Sequence, residues 1–254
     1  MKIYGKNPPC AFHLIFSVGM GKIAPAAALL ALFAWQAAAV ETGHADSAFI
    51  DLSTIPELRI NLRYASVNNF LGENLYADFN RALLHKLAAE KLKRAAGLLR
   101  ERKPRWHLVV YDALRPRSVQ QRLWDKVKKT DKREYVSNPK KGSMHNYGFA
   151  VDLSLLDEKG GEVDMGTAFD AYDSLSRPEL EERFYAEGRL TTGQHANRRL
   201  LREVMQGAGF IQLNIEWWHF DALPKAEVKA RFSIVESMDD SCIRSGRRPS
   251  SQPR

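Results

Sequence analysis

Apolar and polar positions alternate along several stretches of the chain, and this period of two predicts short β-strands. Residues 57–64 carry an apolar side chain at every second position and follow a proline, which favours a strand start. Residues 106–111 and 149–156 are largely apolar, so we expect them to form buried strands. A fourth strand is expected over residues 210–215, directly ahead of a tryptophan pair.

Leucine and alanine at intervals of three and four residues predict helices between these strands. The clearest helix covers residues 80–100, where basic residues occupy the opposite face and Asn80 is the expected N-terminal cap. A second helix is expected over residues 118–129 with Ser118 as its cap, and a third over residues 197–208, ending at glycines. Shorter elements are expected at residues 178–185 and 226–236.

Strands and helices interleave without an internal repeat or a domain-scale linker. A chain of 254 residues is long enough for one domain with a sizeable core. We therefore predict the α+β class: a single domain over residues 48–238, with a central, mainly antiparallel sheet flanked by helices. Residues 239–254 are rich in Ser, Arg and Pro and are expected to form a disordered basic tail.

Residues 1–39 have the pattern of a secretory signal. Lys22 precedes an apolar run from Ile23 to Trp35, and three alanines ending at Ala39 follow. This apolar run is shorter than the roughly 20 residues that a membrane-spanning helix needs. We expect cleavage near Ala39, a periplasmic or secreted mature protein, and no stable membrane insertion afterwards. Met20 is an alternative start, and an uncleaved anchor is the alternative to a cleaved signal.

Charge and cysteine content argue against two classes of function, nucleic-acid binding and a cysteine-rich zinc site. The formal charge is +8, but three lysines lie in the first 39 residues, and the last 16 residues carry four arginines against two aspartates. The remaining chain has a net charge of about +3, which argues against nucleic acid as a partner. Cys10 and Cys242 are the only cysteines, so a cysteine-rich structural zinc site is excluded.

Two short segments concentrate the candidate chemistry: Ser-Met-His-Asn-Tyr-Gly-Phe-Ala-Val-Asp and, further along, Glu-Trp-Trp-His. A catalytic zinc takes three nitrogen or oxygen ligands and keeps a fourth position for water. We interpret His145, Asp152 and His219 as the three protein ligands of one zinc ion per chain. Glu216 is then the base that takes a proton from water and passes it to the leaving amine.

The spacing within these segments sets a geometric condition. We expect the backbone to turn at Gly148, so that His145 reaches the face of the next strand that carries Asp152. Glu216 and His219 are three residues apart and would lie on opposite faces of a regular strand. They can serve one metal ion only if the strand twists strongly, bulges or ends there.

The pattern Ser-x-His-x-x-Gly-x-Ala-x-Asp followed by Glu-x-Trp-His resembles the zinc peptidase class that contains lysostaphin, the D-Ala-D-Ala peptidases and the Hedgehog amino-terminal domain. Within that class, the chain is similar to the D-alanyl-D-alanine dipeptidases of the kind found in vancomycin resistance. The supporting motifs lie at residues 62–65, 69–72, 111–116, 165–170, 197–201 and 216–220. The resemblance implies a Hedgehog/D-Ala-D-Ala peptidase-like fold.

The resemblance also implies roles for residues outside the two segments. Arg115, at the end of a predicted strand, would stabilise the oxyanion of the tetrahedral intermediate; a salt bridge to Asp112 is the alternative. Asp170 would bind the free amino group of a dipeptide, or else cap a turn. Tyr64 would line the substrate pocket, or pack as a sheet aromatic. Ser143 would hydrogen-bond substrate, or only cap the turn before the metal motif.

These residues together predict a zinc-dependent enzyme of the cell envelope that hydrolyses D-alanyl-D-alanine to D-alanine. One alternative is a D,D-carboxypeptidase or endopeptidase that acts on peptidoglycan stem peptides. A second, of another class, is a zinc-stabilised binding module without turnover. The presence of both Glu216 and Arg115 favours an enzyme, because a binding module needs neither a base nor an oxyanion donor.

Overall fold

The computed structural model describes residues 48–77, 79–239 and 243. The predicted signal segment lies outside these residues, and so does nearly all of the predicted C-terminal tail. Of the helices within these ranges, none combines the length and the apolar character that crossing a membrane requires.

A five-stranded sheet forms the centre of the domain. Its strands are β2 (Leu58–Ile60), β4 (His107–Asp112), β5 (Ala150–Leu156), β6 (Ile211–Gln212) and β7 (His219–Asp221). They lie in the order β2-β4-β5-β7-β6, with β2 and β4 parallel and every other neighbouring pair antiparallel. Two further strands, β1 (Phe49–Asp51) and β3 (Leu83–His85), form a separate antiparallel pair. The predicted α+β fold with a mainly antiparallel sheet is therefore confirmed.

Five helices accompany the sheet: α1 (Lys86–Arg102), α2 (Arg117–Val127), α3 (Glu181–Ala186), α4 (Thr192–Gly207) and α5 (Lys225–Arg231). Buried leucines of α1 and α4 pack in one hydrophobic cluster with Leu153 and Leu155 of β5. Side chains alternate along a strand, so Asp152, between Val151 and Leu153, projects from the opposite face of β5. One face of the sheet therefore builds the core and leaves the other for the site.

Several predicted boundaries are wrong, and tertiary contacts explain why. The helix expected from Asn80 begins at Lys86 instead, and its N-terminal cap is His85, whose side chain accepts a hydrogen bond from the Leu87 amide. Leu83 and Leu84, assigned to that helix, belong to β3 because they pair with β1. The apolar run from residue 83 suits either element, and only the strand partner decides between them.

Tyr64 was predicted to lie in the first strand of the central sheet, but it lies outside that strand. The strand ends at Ile60, and Tyr64 sits in a 3₁₀ turn over Arg63–Ala65. The turn is held by Arg63, whose guanidinium lies 4.5 Å from the centre of the Tyr111 ring and pairs with Glu162. Tyr64 is thereby buried among aromatic neighbours instead of lying on a sheet face.

Two helix starts also differ from the prediction. Helix α2 begins at Arg117, so Ser118 lies inside its first turn; the amides of both residues donate to carbonyls of the segment at Val235 and Glu236, 2.9 Å away in each case. Helix α4 begins five residues earlier than predicted, because Thr191 caps it in a reciprocal pair with a glutamine. The strand expected over residues 210–215 is reduced to β6.

Gly148 turns the chain between His145 and Asp152, as predicted. Its φ is +70°, and a Cβ there would lie 2.7 Å from a ring carbon of Phe49 and 3.1 Å from the backbone nitrogen of His85. Gly160, in the exposed turn after β5, has a similar φ of +80° but nothing within 4 Å of its Cβ position. Substitutions at the two glycines therefore distinguish the cost of backbone strain from the cost of steric overlap.

We expect Gly160→Ala to cost about 1–2 kcal/mol of unfolding free energy, the cost of a left-handed conformation alone. Gly148→Ala should cost a further 1–3 kcal/mol or so, because the new methyl group also overlaps Phe49 and the His85 backbone. Urea unfolding of both variants beside the unaltered protein measures the difference. Equal losses for the two variants would show that the packing around Gly148 is not tight.

His85 makes stability depend on pH. Burial, together with the charges of Lys86 and Arg231, lowers the pKa of His85 from its usual 6.5 to about 4. The imidazole stacks on Phe149 at 4.4 Å, and its neutral form is needed to cap α1. Because the unfolded chain takes up the proton first, this contribution is complete above about pH 6.5 and is lost as the pH falls towards about 4.

His85→Asn keeps a capping side chain that does not titrate. Between about pH 7 and about pH 4.5, we expect the unfolding free energy of this variant to fall by about 1–2 kcal/mol less than that of the unaltered protein. Urea unfolding at both pH values tests this. The comparison uses the change with pH, since the lost ring stacking lowers the stability of the variant at every pH. Parallel pH dependences would contradict the assignment.

Candidate active site

The pairing of β5 with β7 brings two of the predicted metal ligands together. Asp152 and His219 are register partners on these antiparallel strands, so their side chains lie on the same face. The Oδ1 atom of Asp152 lies 2.9 Å from Nδ1 of His219. Both ligands lie within strands, and the convergence is a consequence of sheet register.

His145 reaches the same point from a single 3₁₀ turn, Met144–Tyr147. Ser143 and Asn146 close the start of that turn in a capping box, and Gly148 ends it. The Nε2 atom of His145 lies 3.2 Å from Nδ1 of His219 and 3.3 Å from Oδ1 of Asp152. All three side chains are buried.

These separations suit a tetrahedral metal ion. Four ligands at about 2.0–2.1 Å from a zinc ion lie about 3.3 Å from one another. The three atoms lie 2.9–3.3 Å apart, which is close to the edge length of that tetrahedron. His145, Asp152 and His219 therefore form a candidate metal site. Two imidazoles and one carboxylate are a donor set that zinc accepts in catalytic sites.

Hydrogen bonds behind the histidines select which ring nitrogen faces the site. Nδ1 of His145 lies 2.7 Å from the carbonyl oxygen of Ala113, and Nε2 of His219 lies 2.9 Å from the Asp221 carboxylate. A ring nitrogen that donates in this way leaves the other nitrogen as an acceptor for a metal ion. Burial alone would lower the pKa of His219, but Asp221 and Asp152 raise it well above its usual value. The surroundings thus attract positive charge.

Glu216 lies beside the three ligands. It precedes β7, in the turn between β6 and β7, and its Oε2 atom lies 3.9 Å from Nδ1 of His219. The strand begins only at His219, which removes the geometric objection raised by the three-residue spacing. Burial is the main cause that raises the pKa of Glu216, to about 7. A carboxylate with such a pKa can both accept and return a proton near neutrality.

Arg115 is fixed by several partners at once. Its Nε donates to Asp112 at 2.7 Å, its Nη1 donates to Gln120 at 3.1 Å, and its Nη2 lies 3.5 Å from Asp152. The guanidinium carbon lies 4.9 Å from the centre of the Tyr64 ring. Arg115 forms the salt bridge to Asp112 and also lines the cavity. The salt bridge was the alternative to a role in the site, and the structure shows that both are compatible.

Asp170 has an unusual backbone and an unsatisfied side chain. Its φ is +59°, and its buried Oδ2 atom has no hydrogen-bond partner among the described residues. Burial and the charge of Asp152 raise the pKa of Asp170 well above its usual range, although a hydrogen bond with Tyr64 acts in the opposite direction. A buried carboxylate of this kind is suited to pairing with a cationic ligand.

All eight side chains singled out in the sequence line one cavity of about 230 Å³, which is small for a ligand-binding pocket. They are Tyr64, Arg115, Ser143, His145, Asp152, Asp170, Glu216 and His219. Ser143 does cap its turn, so that role holds whether or not it also contacts a ligand. Trp218 lines the cavity, whereas Trp217 donates a hydrogen bond to Thr167 away from it.

His195 belongs to a second group of carboxylates. It lies in the first turn of α4, is buried, and approaches Glu182 at 2.9 Å and Glu181 at 3.8 Å. Arg202 already pairs with Glu181 at 2.6 Å. The positive charge of Arg202 disfavours a metal ion there, so this group is better described as an ion-pair network that fastens α3 to α4.

Sequence reasoning missed several residues that support the site. Asp221 is two positions after His219 on a strand, so the period of two could have placed it on the same face. Asn146 donates to the Arg115 carbonyl at 2.6 Å and had no signal beyond its position beside His145. Gln120 and Lys225 reach the site or its cavity only through the tertiary fold.

Comparison with known proteins places the chain among dipeptidases. A family model described as D-ala-D-ala dipeptidase matches residues 45–238. The chain is 37% identical over 179 residues to the D-alanyl-D-alanine dipeptidase of Escherichia coli (strain K12), covering 70% of this chain and 85% of that protein. It is 30% identical over 161 residues to a protein of the same name from Synechocystis, covering 52% and 65% respectively.

A third relative, the D-alanyl-D-alanine dipeptidase of Enterococcus faecium, is 27% identical over 183 residues, which cover 64% of this chain and 85% of the relative. The family match spans the whole of the sheet and every residue of the candidate site. Together these findings show that the chain belongs to the D-ala-D-ala dipeptidase family of metallopeptidases.

Proposed function

We propose that this protein hydrolyses D-alanyl-D-alanine to two molecules of D-alanine, using one zinc ion held by His145, Asp152 and His219. The observation that carries the proposal is the convergence of three ligand atoms within 3.3 Å of one another beside Glu216. Membership of the dipeptidase family supports the substrate, since the relatives are named for it.

Glu216 performs the proton transfers. A zinc ion at this site would supply Lewis acidity and lower the pKa of a nearby water molecule. Glu216 accepts a proton as the water oxygen bonds to the scissile carbonyl carbon, and it returns that proton to the amide nitrogen as the C–N bond breaks. Burial supports this role because it raises the pKa of Glu216 to about 7, so that the side chain can accept and release a proton near neutral pH.

Arg115 stabilises the charge that develops on the carbonyl oxygen. Asp112 and Gln120 hold its guanidinium in place before substrate arrives, so little reorganisation is needed at the moment of reaction. Asp112 is itself fixed by the Tyr76 hydroxyl, 2.6 Å away. The buried chain of hydrogen bonds from Tyr76 to Arg115 supports an electrostatic role that a flexible arginine could not fill.

Asp170 binds the free amino group of the dipeptide. Its unpartnered Oδ2 atom is matched by an ammonium group, which would satisfy it and favour its ionised form. Tyr64 orients this carboxylate, and Ser143 offers a hydroxyl at the cavity wall. A peptide extended at its amino end lacks the positive charge at this position, so Asp170 favours a dipeptide.

The predicted signal segment leads us to assign this activity to the cell envelope. A secreted dipeptidase suits the recycling of cell-wall dipeptides, because resistance would require destruction of the dipeptide inside the cell, where it is made. The envelope assignment rests on the sequence of residues 1–39 alone.

A panel of peptides tests the proposal. We expect the purified protein to cleave D-Ala-D-Ala and to lose that activity with a chelator, regaining it when zinc is restored, because the three ligands alone supply no Lewis acid. N-acetyl-D-Ala-D-Ala should be cleaved at least about tenfold more slowly, since it offers Asp170 no charge. Faster cleavage of a stem pentapeptide than of the dipeptide would favour a carboxypeptidase, and a zinc-loaded protein inactive on every peptide would favour a binding module.

Replacement of the base separates metal binding from catalysis. We expect Glu216→Gln to keep one zinc ion per chain, because Glu216 is not a ligand, and to lose activity by about 10²–10⁴-fold, the usual contribution of a positioned general base. Glu90→Gln, an exposed change on α1, is the matched control and should behave as the unaltered protein. Metal analysis and steady-state rates on D-Ala-D-Ala give both quantities. Activity within tenfold of normal would remove Glu216 from its role.

A further inference from the structure

The proposed substrate carries two charges, and Asp170 accounts for only one of them. A free dipeptide has an ammonium group at one end and a carboxylate at the other, on opposite sides of the scissile bond. The carboxylate enters a cavity rich in negative charge, since Glu134, Asp152, Asp170, Glu216 and Asp221 all line it. A zinc ion at the three ligands would offset part of this negative charge, and a cation close to the carboxylate end would offset the repulsion that remains there.

Two residues with permanently cationic side chains line this cavity: Arg115 and Lys225. Arg115 is committed to Asp112, Gln120 and Asp152 and lies against the reacting centre. Lys225 is exposed, and no ion pair or hydrogen bond of its side chain is found among the described residues. It is therefore the cation that is available to a ligand.

The position of Lys225 fits the carboxylate end of the substrate. Asp170 is hydrogen-bonded to Tyr64 and lines the cavity together with Asp152 and Arg115. His219 turns Nδ1 towards Asp152 and Nε2 towards Asp221, so Asp221 lies beyond His219 from the metal site. Lys225 follows Asp221 by four residues, as the first residue of α5. Asp170 and Lys225 therefore line the same cavity as the three ligands, and they come from two different segments of the chain.

We propose that Lys225 binds the terminal carboxylate of the dipeptide and makes the enzyme select substrates with a free carboxyl end. This inference rests on the proposed function and adds a specificity residue to it. Lys225 pairs with a group two bonds beyond the scissile nitrogen, so it contributes to substrate binding and not to proton transfer. Its loss should therefore appear in KM more than in kcat.

The test compares D-Ala-D-Ala with its C-terminal amide, D-Ala-D-alaninamide, which lacks the negative charge. The variants are Lys225→Met, Lys225→Arg and, as a control, Lys229→Met, which removes an exposed lysine one turn further along α5 and outside the cavity lining. KM and kcat are measured for both substrates on zinc-loaded protein. Thermal unfolding of each variant checks that α5 is intact.

We expect Lys225→Met to raise KM for the dipeptide about five- to tenfold, with kcat within about twofold of normal. Its KM for the amide should not change, because the amide never gained from the lysine. Lys225→Arg should restore most of the affinity for the dipeptide, and Lys229→Met should match the unaltered protein. The amide should be the poorer substrate of the unaltered enzyme by a similar factor.

Other results would overturn the inference. Equal losses on the dipeptide and the amide would mean that Lys225 acts through Asp221 and His219, or through the fold. Unchanged kinetics on both substrates would mean that the carboxylate binds elsewhere. If the unaltered protein cleaves D-Ala-D-Ala but Lys225→Met keeps its preference for the free acid, only this inference fails; if the unaltered protein cleaves neither substrate, the proposed function fails and takes the inference with it.

Discussion

The antiparallel pairing of β5 with β7 is the constraint on which the site depends. It sets Asp152 opposite His219, so that a carboxylate oxygen and an imidazole nitrogen lie 2.9 Å apart on the face of the sheet that lines the cavity. A shift of one residue in this register would turn one of the two side chains into the core. The leucines on the other face of β5 oppose such a shift, because they would then lose their burial against α1 and α4.

Hydrogen bonds join the segment around His145, a candidate metal ligand, to the segment around Arg115, the candidate oxyanion donor. The Arg115 amide donates to the His145 carbonyl, and Asn146 donates to the Arg115 carbonyl. The Ala113 carbonyl, in turn, orients the His145 ring. A displacement of the strand end at Asp112 would therefore move His145 and Arg115 together, which preserves their relative geometry.

The site concentrates acidic side chains around one cavity. Several buried or half-buried carboxylates face one small cavity, and burial raises the pKa of both Glu216 and Asp170. Such a concentration opposes folding, since burial removes hydration from these carboxylates and leaves the Asp170 Oδ2 atom without a partner among the described residues. A metal ion, and a substrate with an ammonium end, are the natural complements to it. The same buried carboxylates that oppose folding would favour cationic ligands over neutral ones.

The sequence by itself determined the α+β class, the approximate strands over residues 106–111 and 149–156, the turn at Gly148 and the residue types able to hold a metal ion. These follow from local periodicity and from the chemistry of individual side chains. Boundaries near Leu83, Tyr64 and Ser118 failed because partners far along the chain set them. The tertiary structure alone decided that Asp152 lies opposite His219, that the Ala113 carbonyl orients His145, and that Lys225 lines the cavity, since register and loop closure between distant segments leave no local signal in a sequence.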